Sequence, residues 1–169
     1  MKSYLFLVIC LVASICFCQE KTYNEKELSI TKWIDGTLLS PIDNEKSTLA
    51  ILIAGSGPTN RNGNQNFLKN NSLKKLAEGL TNNGIATFRY DKRIVKQIQH
   101  GKVDKDMMFD DFVSDASAVI DFLKEKYTYS KIYVIGHSQG SLVGMLAAKG
   151  KANGFISLAG AGQNIGDVL

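Results

Sequence analysis

A serine hydroxyl is a poor nucleophile unless it is held exposed beside a base, near donors that can take up negative charge. Gly136-His-Ser-Gln-Gly140 has the form such a site requires, with Ser138 between two glycines, an apolar run before it and small residues after it. A sharp strand-to-helix turn there would present Ser138 above the sheet edge as a nucleophile elbow. Positions 136 and 140 both want no Cβ, because a side chain would strike the tightly turned backbone or hold helix and strand apart. The start of the helix would also aim free backbone N–H groups, that of Gln139 among them, at the place where an oxyanion forms. The plainer reading of the same residues is a tight strand–helix turn with the serine as an N-cap.

Acyl transfer needs a second donor, and it must come from another loop. Gly55-Ser-Gly-Pro-Thr-Asn-Arg-Asn-Gly-Asn64 is too rich in Gly and Asn for regular structure, and it follows Ser47 to Ala54, the most apolar strand after the leader. A loop after the third strand usually supplies that donor, which points to the Ser56 amide or else to Gly57. An ordinary strand–helix connection is the alternative. Arg61 reads as a loop brace or a solvent-facing cation before it reads as a substrate contact.

The elements that must position these loops are legible from period and punctuation. Ile132-Tyr-Val-Ile135 is a continuous β-branched and aromatic run of the kind buried on both faces of a parallel sheet. After the elbow, Leu142, Val143, Leu146 and Ala147 recur at helical spacing, and Gly144, Ala147 and Ala148 let that helix lie close to the sheet. Upstream, Glu20 to Glu27 is polar and reads as loose chain. Leu28 to Trp33 alternates, Asp35-Gly36 predicts a turn and Thr37 to Leu39 returns, which together predict an edge hairpin. Pro41 to Lys46 is a polar loop. Ser72 to Leu80 carries Leu73, Leu76, Ala77 and Leu80 on one face and stops at Asn82-Asn-Gly84, a helix. Ile85 to Tyr90 is the next strand, and Asp91 at its end is expected to cap loop backbone rather than to act in catalysis. Residues 94 to 106, which hold His100, read as an irregular basic excursion. Phe109, Phe112, Val113, Ala116, Val119, Ile120 and Leu123 mark an amphipathic helix whose Asp110, Asp111 and Asp115 are expected to favour its dipole rather than bind a metal. Phe155 to Ala159 is a last buried strand. Strand and helix alternate from Ser47 onward, which predicts an α/β fold with a mostly parallel sheet and an N-terminal antiparallel hairpin.

The N-terminus has a basic tip and then about fourteen apolar residues, Tyr4 to Phe17, fewer than the roughly twenty that span a bilayer. Residues 1–18 read as a signal peptide cut after Cys18, which predicts export and no stable membrane span. Acylation of Cys16 or Cys18 is the less favoured alternative, because Ile15 and Phe17 are large. All three cysteines lie in this leader, so residues 19–169 would form a thiol-free domain. The formal charge of +4 comes from interleaved Lys and Glu/Asp with no aromatic–basic cluster, and nothing suggests nucleic acid.

Four motifs in order, Gly55 to Asn64, Arg89-Tyr-Asp-Lys-Arg93, Gly136 to Gly140 and Leu158-Ala-Gly-Ala-Gly162, resemble exported bacterial α/β-hydrolases of the serine aminopeptidase-like (S33-type) and lysophospholipase-like group. The resemblance implies the α/β-hydrolase fold. It implies Ser138 as nucleophile, the Ser56 and Gln139 amides as oxyanion donors, and hydrolysis of an ester or amide through an acyl-enzyme. Neither a cofactor nor a metal is implied, and the partner would be a small-molecule, peptide or acyl substrate. The sequence departs from such relatives at Asn60 and Asn62, where they tend to carry aspartates, and at Ile94 to Lys96, where they continue with a glycine. In α/β-hydrolases the triad runs Ser, acid, His along the chain. After Ser138 there is no histidine and one carboxylate, Asp167, which is expected to open a cap helix. His137 adjoins the serine and is expected to point away from it, and His100 lies upstream of it. The usual sheet continues beyond the strand that follows the elbow, so this chain reads as the N-terminal part of a longer hydrolase. The alternative is a short non-catalytic remnant or a protein that binds acyl ligands.

Overall fold

The computed structural model describes residues 22–42 and 48–162. The expected leader with its cysteines and Asp167 lie outside them. In chain order the elements are β1 (Tyr23–Thr31), β2 (Ile34–Pro41), β3 (Leu49–Ile53), α1 (Ser72–Asn82), β4 (Ala86–Tyr90), α2 (Arg93–Gln99), α3 (Phe109–Lys126), β5 (Ile132–His137), α4 (Gln139–Ala148) and β6 (Gly154–Leu158). They form one six-stranded sheet in the order β1-β2-β4-β3-β5-β6. Strands β4, β3, β5 and β6 are mutually parallel, and β1 and β2 add the antiparallel hairpin.

The all-apolar β3 is central because both of its faces must be covered. Leu49, Ile51 and Ile53 pack with Val119, Ile120 and Leu123 of α3 and Val143 of α4. Ala50 and Leu52 face the other way, toward Leu73 and Ala77 of α1. The two-residue side-chain period of a strand therefore divides the core into two layers, one on each side of the sheet. Among the described residues β6 is outermost, and Leu142, Met145 and Leu146 of α4 together with Ile156 remain exposed. No helix of the described residues is long and apolar enough to cross a membrane.

Three expectations need correction. The hairpin turns at Lys32-Trp33, since Thr31 pairs with Ile34 and Ser29 with Asp35. Gly36 lies inside β2 because the Phe88 ring crosses it, and a Cβ there would come within 2.2 Å of Phe88 Cζ. Tyr23 to Glu27 is strand rather than loose chain. Its polar residues suit an outer strand, which buries Leu28 alone. Arg93–Gln99 is a helix where an irregular excursion is expected. Its Lys96 pairs with Asp35 at 2.5 Å, and its buried side chain is the polar Gln97.

Candidate active site

Among the described residues Ser138 is one of three non-glycine residues with positive φ, beside Asn71 and Ala159, and it stands at φ 52° and ψ −122°. Such values are close to forbidden for a residue with a Cβ and cost about 1–3 kcal/mol. Several bonds hold them. The Ser138 N–H donates to the Leu158 carbonyl at 2.9 Å, and the Ser138 carbonyl accepts from the Ser141 N–H at 2.9 Å. Ser141 Oγ is buried and donates to the Gly136 carbonyl at 2.7 Å. The flanking glycines are required by contact. A Cβ at Gly136 would stand 2.2 Å from the Gly140 carbonyl oxygen, and one at Gly140 would stand 2.5 Å from the carbonyl oxygens of Ile53 and Ala54. Strand β5 and helix α4 can thus meet at Ser138 only if both neighbours are glycine.

The loop after β3 folds against this turn. Gly55 is buried, and a Cβ on it would lie 3.3 Å from Ser138 Cβ. The Ser56 carbonyl is held by Thr59 Oγ1 at 2.8 Å and Gln65 Nε2 at 3.1 Å, and Gln65 also donates to Thr59 Oγ1. Among the described residues no acceptor is found for the Ser56 N–H. Asn60 Oδ1 accepts the N–H groups of Asn62 and Asn64, and Asn62 Oδ1 accepts from Arg89 Nε at 3.2 Å. The amides at 60 and 62 thus serve as acceptors, a role a carboxylate could also fill. Arg61 braces the loop. Its N–H and Nε donate to the two oxygens of Asp91 at 2.7 Å, and it also bonds Glu27. Hydrogen bonding and Coulomb attraction from Asp91 outweigh burial and raise the Arg61 pKa above its usual value. Asp91 accordingly caps loop backbone.

Ser56 and Ser138 line one open cavity of about 150 Å3 with Gly55, Thr59, Gln65 and His137. Gln139 begins α4 directly after Ser138 and lines a different, much smaller cavity. His137 is expected to turn from Ser138 but lines the same cavity, with Nδ1 beside Gly55. His100 is elsewhere. Its Nδ1 lies 2.8 Å from the Lys96 carbonyl oxygen and its ring stands edge-on to Trp33. Asp111 and Asp115 meet Arg93, with contacts of 2.7–2.8 Å, and Asp111 also accepts the Met108 N–H that opens α3. That Met108 bond and the Arg93 guanidinium lower the Asp111 pKa. No residue pattern in the sequence marks Thr59, Gln65 or Lys92 for a role at the site. Lys92 sits inside the quoted Arg89 to Arg93 motif, which was the one available signal. It is 5% exposed and donates to the Gly55 carbonyl. Burial lowers its pKa to about 8.

A family model for serine aminopeptidase, S33, matches residues 70–165, more than half of the chain. The chain belongs to the S33 serine aminopeptidase family. The matched span of this S33 member runs from α1 through the elbow and β6. The chain is 27% identical over 156 residues to esterase EstD of Thermotoga maritima, covering 90% of this chain and 36% of that protein. Its fold is similar to that of dienelactone hydrolase from Anabaena variabilis, with TM-score 0.61, 18% identity, and 82% of this chain and 64% of that one covered. Est1E from Butyrivibrio proteoclasticus is 25% identical with TM-score 0.59, and the match covers 80% of this chain and 51% of that one. This S33 chain therefore spans about a third of the curated esterase it matches and half to two-thirds of these solved structures.

Proposed function

We propose that the protein is a serine hydrolase that opens a carboxylic ester, or an amide, through an acyl-enzyme on Ser138. The observation that carries this reading is the φ 52°, ψ −122° backbone of Ser138, kept in a glycine-flanked turn beside a loop with an unengaged amide. Strain of this kind persists only where surrounding structure imposes it, and it sets a hydroxyl above the sheet. Ser138 Oγ attacks the carbonyl carbon and its proton passes to a histidine. The oxyanion is received by the Ser56 and Gln139 amides, the leaving group departs with the proton, and water then releases the acid. The ester is preferred to the amide because EstD and Est1E carry esterase names and a second Est1E structure, 27% identical to this chain, holds ferulic acid.

The histidine and the acid are proposed to come from sequence beyond Leu169. The share of each relative covered supports this, as does the apolar surface of α4 and β6. Export after removal of residues 1–18 is proposed with it. A fluorophosphonate probe applied to the full natural chain tests the nucleophile. Labelling is expected on Ser138 and absent from Ser138→Ala. Equal labelling of that variant refutes the reading.

A further inference from the structure

Lys92 forms no ion pair with any carboxylate among the described residues. It follows β4 at the entrance to α2, and its side chain runs inward rather than to solvent, with Nζ 5.6 Å from the centre of the Phe112 ring. The titratable groups facing it are Tyr90 from β4 and Asp115 from α3, and Asp115 is already held by Arg93. Gln139 of α4 completes that side without a charge. The hydrogen bond found for the ammonium is to the Gly55 carbonyl, 37 residues earlier in the chain. Burying an ammonium without an opposite charge is costly, so a lysine here needs a reason beyond packing.

The reason lies in the peptide it holds. All described peptide bonds are trans, and in a trans peptide the carbonyl of one residue and the N–H of the next point in opposite directions. The Gly55 carbonyl is turned toward Lys92, so the Ser56 N–H is turned away from it. Lys92 lines the small cavity under Tyr90 and Phe112, whereas Ser56 and Ser138 line the open one, and the two share no residue. Lys92 of the first bonds the carbonyl of Gly55, which with Ser56 lines the second. The next carbonyl, that of Ser56, is pinned by Thr59 and Gln65, so the amide is fixed from both sides.

We propose that Lys92 is the positioning residue of the oxyanion loop: by drawing the Gly55 carbonyl inward it turns the Ser56 N–H toward the space over Ser138. Without the ammonium the peptide loses one of its two restraints, and rotation about the other would present a carbonyl oxygen to the same space, which would repel an oxyanion instead of binding it. The role rests on Ser138 being the nucleophile. It also gives the site an alkaline limit. Above about pH 8 the buried amine loses its charge and a charge-assisted bond becomes an ordinary one, weakening the hold on the peptide.

The test is the rate of fluorophosphonate labelling of Ser138 in the full natural chain and in Lys92→Met, from pH 6 to 10, with thermal unfolding run alongside. Methionine keeps the length and apolar stem of lysine without its charge. The expected result is labelling slowed about 10- to 100-fold at pH 7, part of the loss seen when an oxyanion donor is removed outright. The unfolding midpoint is expected not to fall, and the alkaline decline of the native protein is expected to vanish in the variant. A second measurement needs no variant. The Gly55 carbonyl carbon resonance is expected to titrate with a midpoint near pH 8 in the native protein. Equal rates and superimposable pH profiles for the two proteins overturn the proposal and leave the nucleophile standing. A Gly55 resonance that does not titrate overturns it as well. Absence of any label on native Ser138 refutes the nucleophile, and the positioning role goes with it.

Discussion

Replacing Ser138 by glycine should make the protein more stable than replacing it by alanine, although glycine normally weakens a fold. Both substitutions remove the hydroxyl, so their difference isolates the backbone. Alanine keeps a Cβ at φ 52°, ψ −122° and with it the strain of about 1–3 kcal/mol that such a conformation costs. Glycine occupies this region freely but loses more conformational freedom on folding, roughly 0.5–1 kcal/mol against alanine. At mid-range the balance favours Ser138→Gly by about 1 kcal/mol. Equilibrium unfolding in urea reads this directly. With a slope of about 2 kcal/mol/M the midpoint of the glycine variant should lie about 0.5 M above that of the alanine variant, at equal slope. An alanine variant as stable as the glycine variant would mean that the turn holds no strain, and the principal support for Ser138 as a nucleophile would be gone.

Gly136→Ala should destabilise by about 3 kcal/mol and abolish probe labelling, because the added methyl meets the backbone of Gly140 and Ser141 and no flexible side chain is there to give way. Arg93→Met leaves the buried Asp115 carboxylate without its guanidinium and should cost about 3 kcal/mol by denaturant unfolding, while leaving the elbow intact. Lys92 should also shape stability against pH. Its folded pKa of about 8 is below the 10.5 of a free lysine, so between those values the unfolded chain holds more protons and stability rises with pH. Relative to Lys92→Met, the native protein should gain roughly 3 kcal/mol across that window. A constant difference between the two would contradict the lysine's being buried as a cation.

How much of this was legible in the sequence depended on whether the reason for a residue was local. Strands β3 and β5 were legible because burial on two faces admits nothing but apolar residues, and Leu49 to Ile53 and Ile132 to Ile135 comply. The elbow was legible because two backbones must approach at Gly136 and Gly140, a demand that leaves a fixed spacing of glycines. Gly36 misled because it looks like a turn residue, whereas its purpose is to make room for Phe88, which lies 52 positions later. Helix α2 left no apolar period to read, since its buried side chain is Gln97. Lys92 acts on a backbone carbonyl, which every residue possesses, so no pairing of residue types could announce it. Asn60 and Asn62 marked a loop in the sequence. That their side chains knit it together, one to its own backbone and one to Arg89, depended on coordinates.

The bond from the Ser138 N–H to the Leu158 carbonyl ties the strained serine to the final residue of β6, whose one partner among the described strands is β5. The ends of strands open and reclose more often than their centres do. Each time Leu158 lifts away, the serine loses one of the restraints that oppose its relaxation toward ordinary backbone angles. If Ser138 is the nucleophile proposed above, the fraction of time for which its hydroxyl is aimed would depend in part on how often the end of β6 opens. A strand pairing along the far side of β6 would lengthen the closed intervals without touching the serine, and amide hydrogen exchange at Ser138 would report it as slower opening.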